Sequence, residues 1–519
     1  MIFYNAKIHT CNKEDPAAEA MEVTDGIITA VGDNNTILQG KNSEKVIDLK
    51  GKTILPGFFD AHAHYWKIGD LLTFNLDLRD ARSIADIQEL LTDFSKKNPH
   101  LKWIRARGFN ETMMKENRLP TKEDIDQVVS DKPVFLQRTC AHIATLNTKA
   151  LEICEITKDT KPPFGGEIQR GDNGLPNGVL TETALGLAIK HFPQITDEDY
   201  EIMILAAGKE FLKNGVTSVS DPAVMPDLLE VYKKMDREGT LPVRIHAFPI
   251  VIPDGGSEAL PIPERYESDK LVVNTVKFFA DGGLSGQTAA TSRIYKNSKS
   301  KGVLRLEKEK FFKLALEAQK KGFQIATHAI GDRAIDLVLE VYQELYKANP
   351  EAPKHRIEHL GLATDEQMDR IKEMGLHIVT QPVFLEELGK NFRMSLDDEY
   401  LNHCYRFKTM LDKGISVSFS TDAPVVKNLN PFIGIKAAID RKHKEGFTIA
   451  PDQGISAEQS LYCYTMGSAV VSRVDHLVGS LQTGKKADFI VLDRSPFEVE
   501  PKQLPDLKPE SVWINGEKV

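Results

Sequence analysis

Between residues 197 and 422 the chain alternates short apolar, β-branched runs with amphipathic stretches, and this rhythm restricts the fold more than any other feature. The runs are 216–221, 243–251, 275–280, 323–329, 356–360, 377–381 and 416–422. Between them lie segments such as 307–320 and 332–347, whose apolar residues recur every three or four positions, as on one face of a helix. Strands that alternate with helices in this way build parallel sheets. An earlier apolar run, Ile54 to Phe59, supplies one strand more. The total matches an α/β chain folded as a (β/α)8 TIM barrel, which takes about 250 residues and more with insertions.

His328 and His359 lie one βα unit apart, but His64 and Val216 are separated by several. The interval predicts a large insertion after strand 1, at about 66–196, with a strand of its own at 133–138 and a Pro- and Gly-rich stretch at 161–178. Loops that follow barrel strands sit on the active-site side, so the expectation is a substrate-covering subdomain. Both ends of the chain read as β structure. Asp25-Gly26 is a hairpin turn signal, a second follows around Gly32-Asp33, and a strand at 487–493 precedes Val512-Trp513-Ile514-Asn515-Gly516. The two ends are expected to form one small β-sandwich, 1–53 plus 478–519, flanking a barrel at 54–477.

The composition, 41% hydrophobic and 27% charged, is that of a globular enzyme. A net charge of −9 argues against nucleic acid, since phosphate binding needs a basic surface. No apolar run approaches the ~18 residues of a membrane span, and Met1 to Thr10 lacks the apolar core of a secretory signal. A cytoplasmic location away from membranes is therefore expected. The five cysteines are far apart and form no Cys-X-X-Cys pair, so they are expected to be reduced and buried. Any bound metal would use histidines and carboxylates.

His62 and His64 follow Phe58-Phe59-Asp60, and on a straight strand residues i and i+2 share a face, which lets both meet one ion. Each remaining candidate has an ordinary alternative. His328 could be a core histidine, His359 could pair with a carboxylate at a helix start, Asp422 could cap the turn before Ala423-Pro424, and Lys277 could sit in an ion pair. All of them nevertheless fall in or at the ends of the predicted strands, and in a barrel those ends converge on one mouth.

Six stretches resemble the amidohydrolase superfamily of metal-dependent hydrolases, and specifically its amidohydrolase-3 branch of YtcJ-like proteins and N-substituted formamide deformylases. They are Leu55-Pro56-Gly57-Phe58-Phe59-Asp60-Ala61-His62-Ala63-His64, Val276-Lys277-Phe278-Phe279-Ala280-Asp281-Gly282, His328-Ala329-Ile330-Gly331-Asp332, Arg356-Ile357-Glu358-His359, Ser420-Thr421-Asp422-Ala423-Pro424 and Gly484-Lys485-Lys486-Ala487-Asp488-Phe489. The resemblance spans nearly the whole chain.

It implies two divalent metals, expected to be zinc: one on His62, His64 and Asp422, the other on His328 and His359. Lys277, carboxylated by carbon dioxide to a carbamate, would bridge both. Metal-activated hydroxide would then attack a small-molecule amide or formamide-type C–N bond, with Asp422 as the catalytic proton carrier. The resemblance also places His142 near the substrate; its alternative is a helix cap. Trp66 either lines an apolar substrate pocket or is core. The Gly-rich loop from Asp281 to Gln287 reads as a flexible wall beside Lys277, not a phosphate loop. Two other readings stay open: a mononuclear deaminase of an aromatic heterocycle, which needs no bridging lysine, and a non-catalytic signalling or scaffold barrel, which would be expected to have lost a ligand. The oligomeric state is also open, a homodimer being one option.

Overall fold

The computed structural model describes residues 1–40, 45–139, 143–163, 166–253, 258–296 and 298–519. Strands form where the apolar runs fall. We number the parallel strands that frame the site β1 (Phe58–Asp60), β2 (Val216–Val224), β3 (Arg244–Pro249), β4 (Thr275–Phe279), β5 (Gln324–Ala329), β6 (Arg356–His359), β7 (His377–Thr380) and β8 (Ser416–Phe419). β3 and β6 are buried at every position, as expected of strands covered on both faces.

These strands fall into two five-stranded sheets. In one, β1 pairs with β2, β2 with β3, and β3 with Leu271–Val273, whose other edge carries Tyr266–Glu267. In the other, β4 to β8 pair in chain order. Leu271–Val273 runs through Asn274 into β4, so a single stretch of chain joins the two sheets. An isolated parallel bridge from Ile250 to Lys277 adds to that junction. At the opposite edges, the Ala61 N–H donates to Phe419 O at 3.4 Å and the Asp422 N–H to His62 O at 2.7 Å. The sheets are thus linked along both edges.

The helices between strands follow the apolar periodicity. Lys308–Lys320 buries Phe311, Ala315 and Ala318, and Asp332–Ala348 buries a stripe from Ala334 to Leu345. Asp365–Met374 starts with a Thr364/Gln367 capping box and stops at Gly375, whose φ of 65° suits a residue without a Cβ.

Two further sheets draw on the chain ends. One orders Ile27–Gly32, Ala20–Thr24, Ile2–Tyr4 and Val46–Asp48. The other sets Thr53–Pro56 between Lys7–His9 and Phe489–Leu492, with Ser511–Ile514 outside the latter. Phe3, Ile8, Met21, Ile28, Ile54, Leu481 and Phe489 share one core. Phe3 meets Phe489 and Trp513 edge-on at 4.9 Å, contacts worth about 0.5–1.5 kcal/mol each beyond area burial. Asp25-Gly26 and Asn515-Gly516 both turn with positive φ, as two-residue hairpins require. The expected turn at Gly32-Asp33 is instead a helix start: the Asp33 side chain accepts from Thr36 N–H and caps Asn34–Leu38.

The opening run is also divided. Thr53–Pro56 belongs to the terminal sheet and only Phe58–Asp60 pairs with β2, the break falling at Gly57, where a Cβ would lie 2.2 Å from Thr217 Oγ1. Contacts separate residues 66–207 from the rest as a second unit, which takes in the first part of the helix Asp197–Lys213. Within it, Asn75–Asp77, Ile104–Phe109, Val134–Arg138, Ile143–Leu146, Pro176–Glu182 and Gly166–Arg170 form one six-stranded sheet.

Candidate metal centre

β1 ends at Asp60, so His62 and His64 lie beyond the strand, and strand alternation is not what orients them. Past Asp60 the backbone exchanges its strand partner for the loop after β8. The buried Asp60 carboxylate accepts from His62 N–H at 3.2 Å, Thr421 N–H at 3.1 Å and the Thr421 hydroxyl at 2.6 Å. The His64 N–H donates to Ala423 O at 2.8 Å and the Ala63 N–H to Ser220 O at 2.9 Å. Burial, partly offset by the Thr421 and His62 hydrogen bonds, raises the Asp60 pKa to about 7.

Each of three imidazoles has one ring nitrogen committed to a protein acceptor. His62 Nδ1 donates to Glu358 Oε2 at 2.5 Å. His359 Nδ1 donates to Gln381 Oε1 at 2.8 Å, and the Gln381 amide donates in turn to Ser420 Oγ at 2.9 Å. His328 Nε2 donates to Gly282 O at 3.0 Å and lies 3.2 Å from Asp281 Oδ1. A nitrogen that donates carries the proton, so the other holds the lone pair. His62 and His359 therefore offer Nε2, and His328 offers Nδ1. Burial pushes His62 and His359 well below the usual imidazole pKa, which keeps them neutral as metal ligation requires.

Glu358 and His359 are consecutive, yet both are buried and both reach His62, Glu358 by hydrogen bond and His359 by ring contact. His359 has φ 77°, which interrupts the alternation of β6; Asp422, with φ 58°, is turned in the same way after β8. Ligand atoms of His62, His359 and Asp422 all lie within 4.8 Å of one another. Asp422 Oδ1 is 3.4 Å from both His62 Nε2 and His64 Nε2, and the His328 and His359 ring centroids are 4.5 Å apart. Burial opposes ionisation of Asp422, but the interactions around it, led by the His64 hydrogen bond, outweigh it and hold the carboxyl below its usual range.

Lys277 projects from the middle of β4 and is fully buried, with Nζ making no hydrogen bond to the described residues; it lies 4.8 Å from the Phe279 ring centroid. Burial lowers its pKa to about 8. Neutral imidazole lone pairs, an ionised carboxylate and a buried amine without a hydrogen-bond partner suit a divalent cation better than a packed core, where such groups would be satisfied internally.

Of the six expected ligands, His62, His359 and Asp422 form the tight group, His64 and His328 adjoin it, and Lys277 is buried on β4 against the Phe279 ring. Trp66 lies in the second unit, where it packs edge-on to Tyr200 at 5.7 Å. His142 lies outside the described residues. The loop after β4 begins less loosely than a flexible wall: Asp281 is fully buried and accepts from the Ala290, Ile330 and Gly331 N–H groups. Asp60, Asp281, Arg356, Glu358 and Gln381 escaped the sequence reading as site residues. Arg356 and Glu358 did leave a trace, two opposite charges at i and i+2 in an apolar strand.

Comparison with known proteins identifies the family. An amidohydrolase family model of the amidohydrolase-3 branch matches residues 45–519. The chain is 28% identical to the putative amidohydrolase YtcJ of Bacillus subtilis (strain 168), over 100% of this chain and 99% of that protein. It is 27% identical to the N-substituted formamide deformylase of Arthrobacter pascens, over 99% and 97% respectively. Among solved structures, an uncharacterized metal-dependent hydrolase from Pyrococcus horikoshii OT3 superposes with a TM-score of 0.80 at 28% identity, covering 96% of this chain and 99% of its own. Ligand-type residues gathered in one interior and a family match over most of the length lead to one assignment: the chain belongs to the amidohydrolase family, in its amidohydrolase-3 branch.

Proposed function

We propose that this amidohydrolase is a metal-dependent enzyme that hydrolyses a non-peptide C–N bond, of amide or formamide type, in a small molecule. The observation that carries the reading is the meeting of His62, His359 and Asp422 with both imidazoles presenting Nε2. The likeness to an N-substituted formamide deformylase supports the bond type. On this reading β1 to β8 close into a (β/α)8 barrel, residues 66–207 are an insertion after β1, and the two terminal sheets form a β-sandwich.

His62, His64 and Asp422 would hold one zinc ion and His328 and His359 a second, with Lys277 as a carbamate between them. When bound, the metal supplies Lewis-acid polarisation of the carbonyl and a lowered water pKa. The chain's own part is proton transfer and orientation. Asp422, ionised and beside His62 and His64, accepts a proton from the attacking water at Oδ1 and returns it to the departing nitrogen. Asp60 and Thr421 hold the Asp422 loop against His62 throughout.

The test is a hydrolysis screen on N-formyl and N-acyl amines with metal-analysed protein, using Asp422→Asn as the blank. The expected loss is about 10²–10⁴-fold in kcat; activity that survives in the blank refutes the assignment. One observation favours a second reading: the three-residue group surrounds a single position, as in a mononuclear deaminase. One ion per chain, with ammonia released from an aminopurine or aminopyrimidine, would establish that alternative.

A further inference from the structure

We propose that Glu358 and Arg356 form a positioning pair that makes His62 the anchoring ligand of the metal centre. The proposal rests on the metal-dependent reading above. His62 and His359 are clamped by different acceptors, a carboxylate for His62 and a neutral amide for His359. A charged acceptor makes the stronger hydrogen bond and leaves the opposite nitrogen the better electron-pair donor.

Glu358 is fully buried, and Arg356 sets the opposite charge directly against it. Its Nε donates to Glu358 Oε1 at 2.5 Å and its Nη2 to Glu358 Oε2 at 3.1 Å. The same Nη2 donates to Ala61 O at 2.8 Å, so the pair grips His62 twice, at the ring and at the residue before it in the backbone. Strand alternation puts Arg356 and Glu358 on one face of β6, and the guanidinium lies 4.8 Å from the Phe248 ring centroid, which fixes its other side. Among the described residues no comparable device stands behind His359, where the Gln381 amide donates to the Ser420 hydroxyl.

A merely structural ion pair would tie β6 to the end of β1 without affecting the metal, and the two roles separate by measurement. Metal-stripped wild type, Glu358→Gln and Glu358→Asp are titrated with zinc against a chromophoric chelator, and the unfolding temperature of each metal-free protein is recorded separately. Gln removes the charge at constant shape. Asp keeps the charge beside Arg356 but withdraws it from His62, and it carries the test if the Gln variant does not fold. The tightest zinc site is expected to weaken about 10–100-fold in both. In a His62→Gln background, Glu358→Gln should weaken it no further. Wild-type zinc affinity in the variants, whatever their unfolding temperature, overturns the proposal, as does an equal further loss in the His62→Gln background. Wild type that binds no zinc would instead overturn the metal-dependent reading itself.

Discussion

Asp281→Asn should loosen the backbone around the centre without changing its shape. The Asp281 carboxylate accepts from the Ala290 and Gly331 N–H groups at 2.9 Å through Oδ2, and from the Ile330 N–H at 3.1 Å through Oδ1, with His328 Nε2 3.2 Å from the same oxygen. An asparagine has one acceptor oxygen. Placed at the Oδ2 position it keeps two bonds, each weakened by about 1 kcal/mol because the acceptor is no longer charged. Its NH₂ then faces the Ile330 N–H, and leaving a buried donor unpaired costs about 1–3 kcal/mol. The sum is about 4 kcal/mol, on the order of a thousandfold in a local opening equilibrium. Hydrogen exchange followed by mass spectrometry should show that loss of protection in peptides covering 288–292 and 329–332, with the terminal sheets unchanged. Protection within tenfold of wild type in those peptides would refute the reasoning, because it would mean that the carboxylate is not the acceptor holding both loops.

Two further outcomes follow. Lys277→Met removes a fully buried amine that makes no hydrogen bond to the described residues, so the metal-free protein should unfold at the same or a higher temperature while zinc binding weakens sharply; calorimetry and chelator competition read the two effects apart. Burial lowers the pKa of His246 and His355 to about 3 and of His377 to about 4, so these residues bind protons in the unfolded chain before they do in the folded one. Their contribution to stability is complete above about pH 6.5 and is lost as pH falls toward 4, at about 1.4 kcal/mol per pH unit for each. Acid titration followed by circular dichroism should therefore show a steep transition in that window, moved to lower pH by His246→Asn.

The strands and helices that frame the site were legible because their signal is local: a β-branched run or a 3.6-residue stripe buries the same face wherever it lies in the chain. The turns at Asp25-Gly26 and Asn515-Gly516 were legible for the same reason, since both positions need positive φ. The Gly32-Asp33 signal was ambiguous, because aspartate serves equally in a turn and as a helix cap, and only Thr36 N–H decided between them. The break in the opening run at Gly57 was hidden because both halves are apolar and the contact that forces it, with Thr217, lies far away in the chain.

At the candidate site, the sequence pointed to residues that the structure brings near one another, but not to their orientation. His62 and His64 were assigned a shared strand face, whereas their geometry comes from hydrogen bonds to residues near 421. Of the acceptors behind the imidazoles, Glu358 left its charge beside Arg356 in an apolar strand but no sign that it holds His62, which is remote in sequence, and the uncharged Gln381 left no pattern at all.

The terminal sheet has a consequence for the order in which the chain can fold. Thr53–Pro56, one glycine away from the strand that leads to His62, finds its second neighbour only in Phe489–Leu492. While the chain is being synthesised, that apolar edge has no mate until residues near 490 have been made, by which time every other strand that frames the site has emerged. The segment that leads to His62 is thus translated before the other strands that frame the site and is among the last of them to be locked. A nascent chain halted before Phe489 would expose the edge to pairing with another copy, so shortening this protein from its C-terminal side is expected to produce aggregation before it produces a soluble, inactive enzyme.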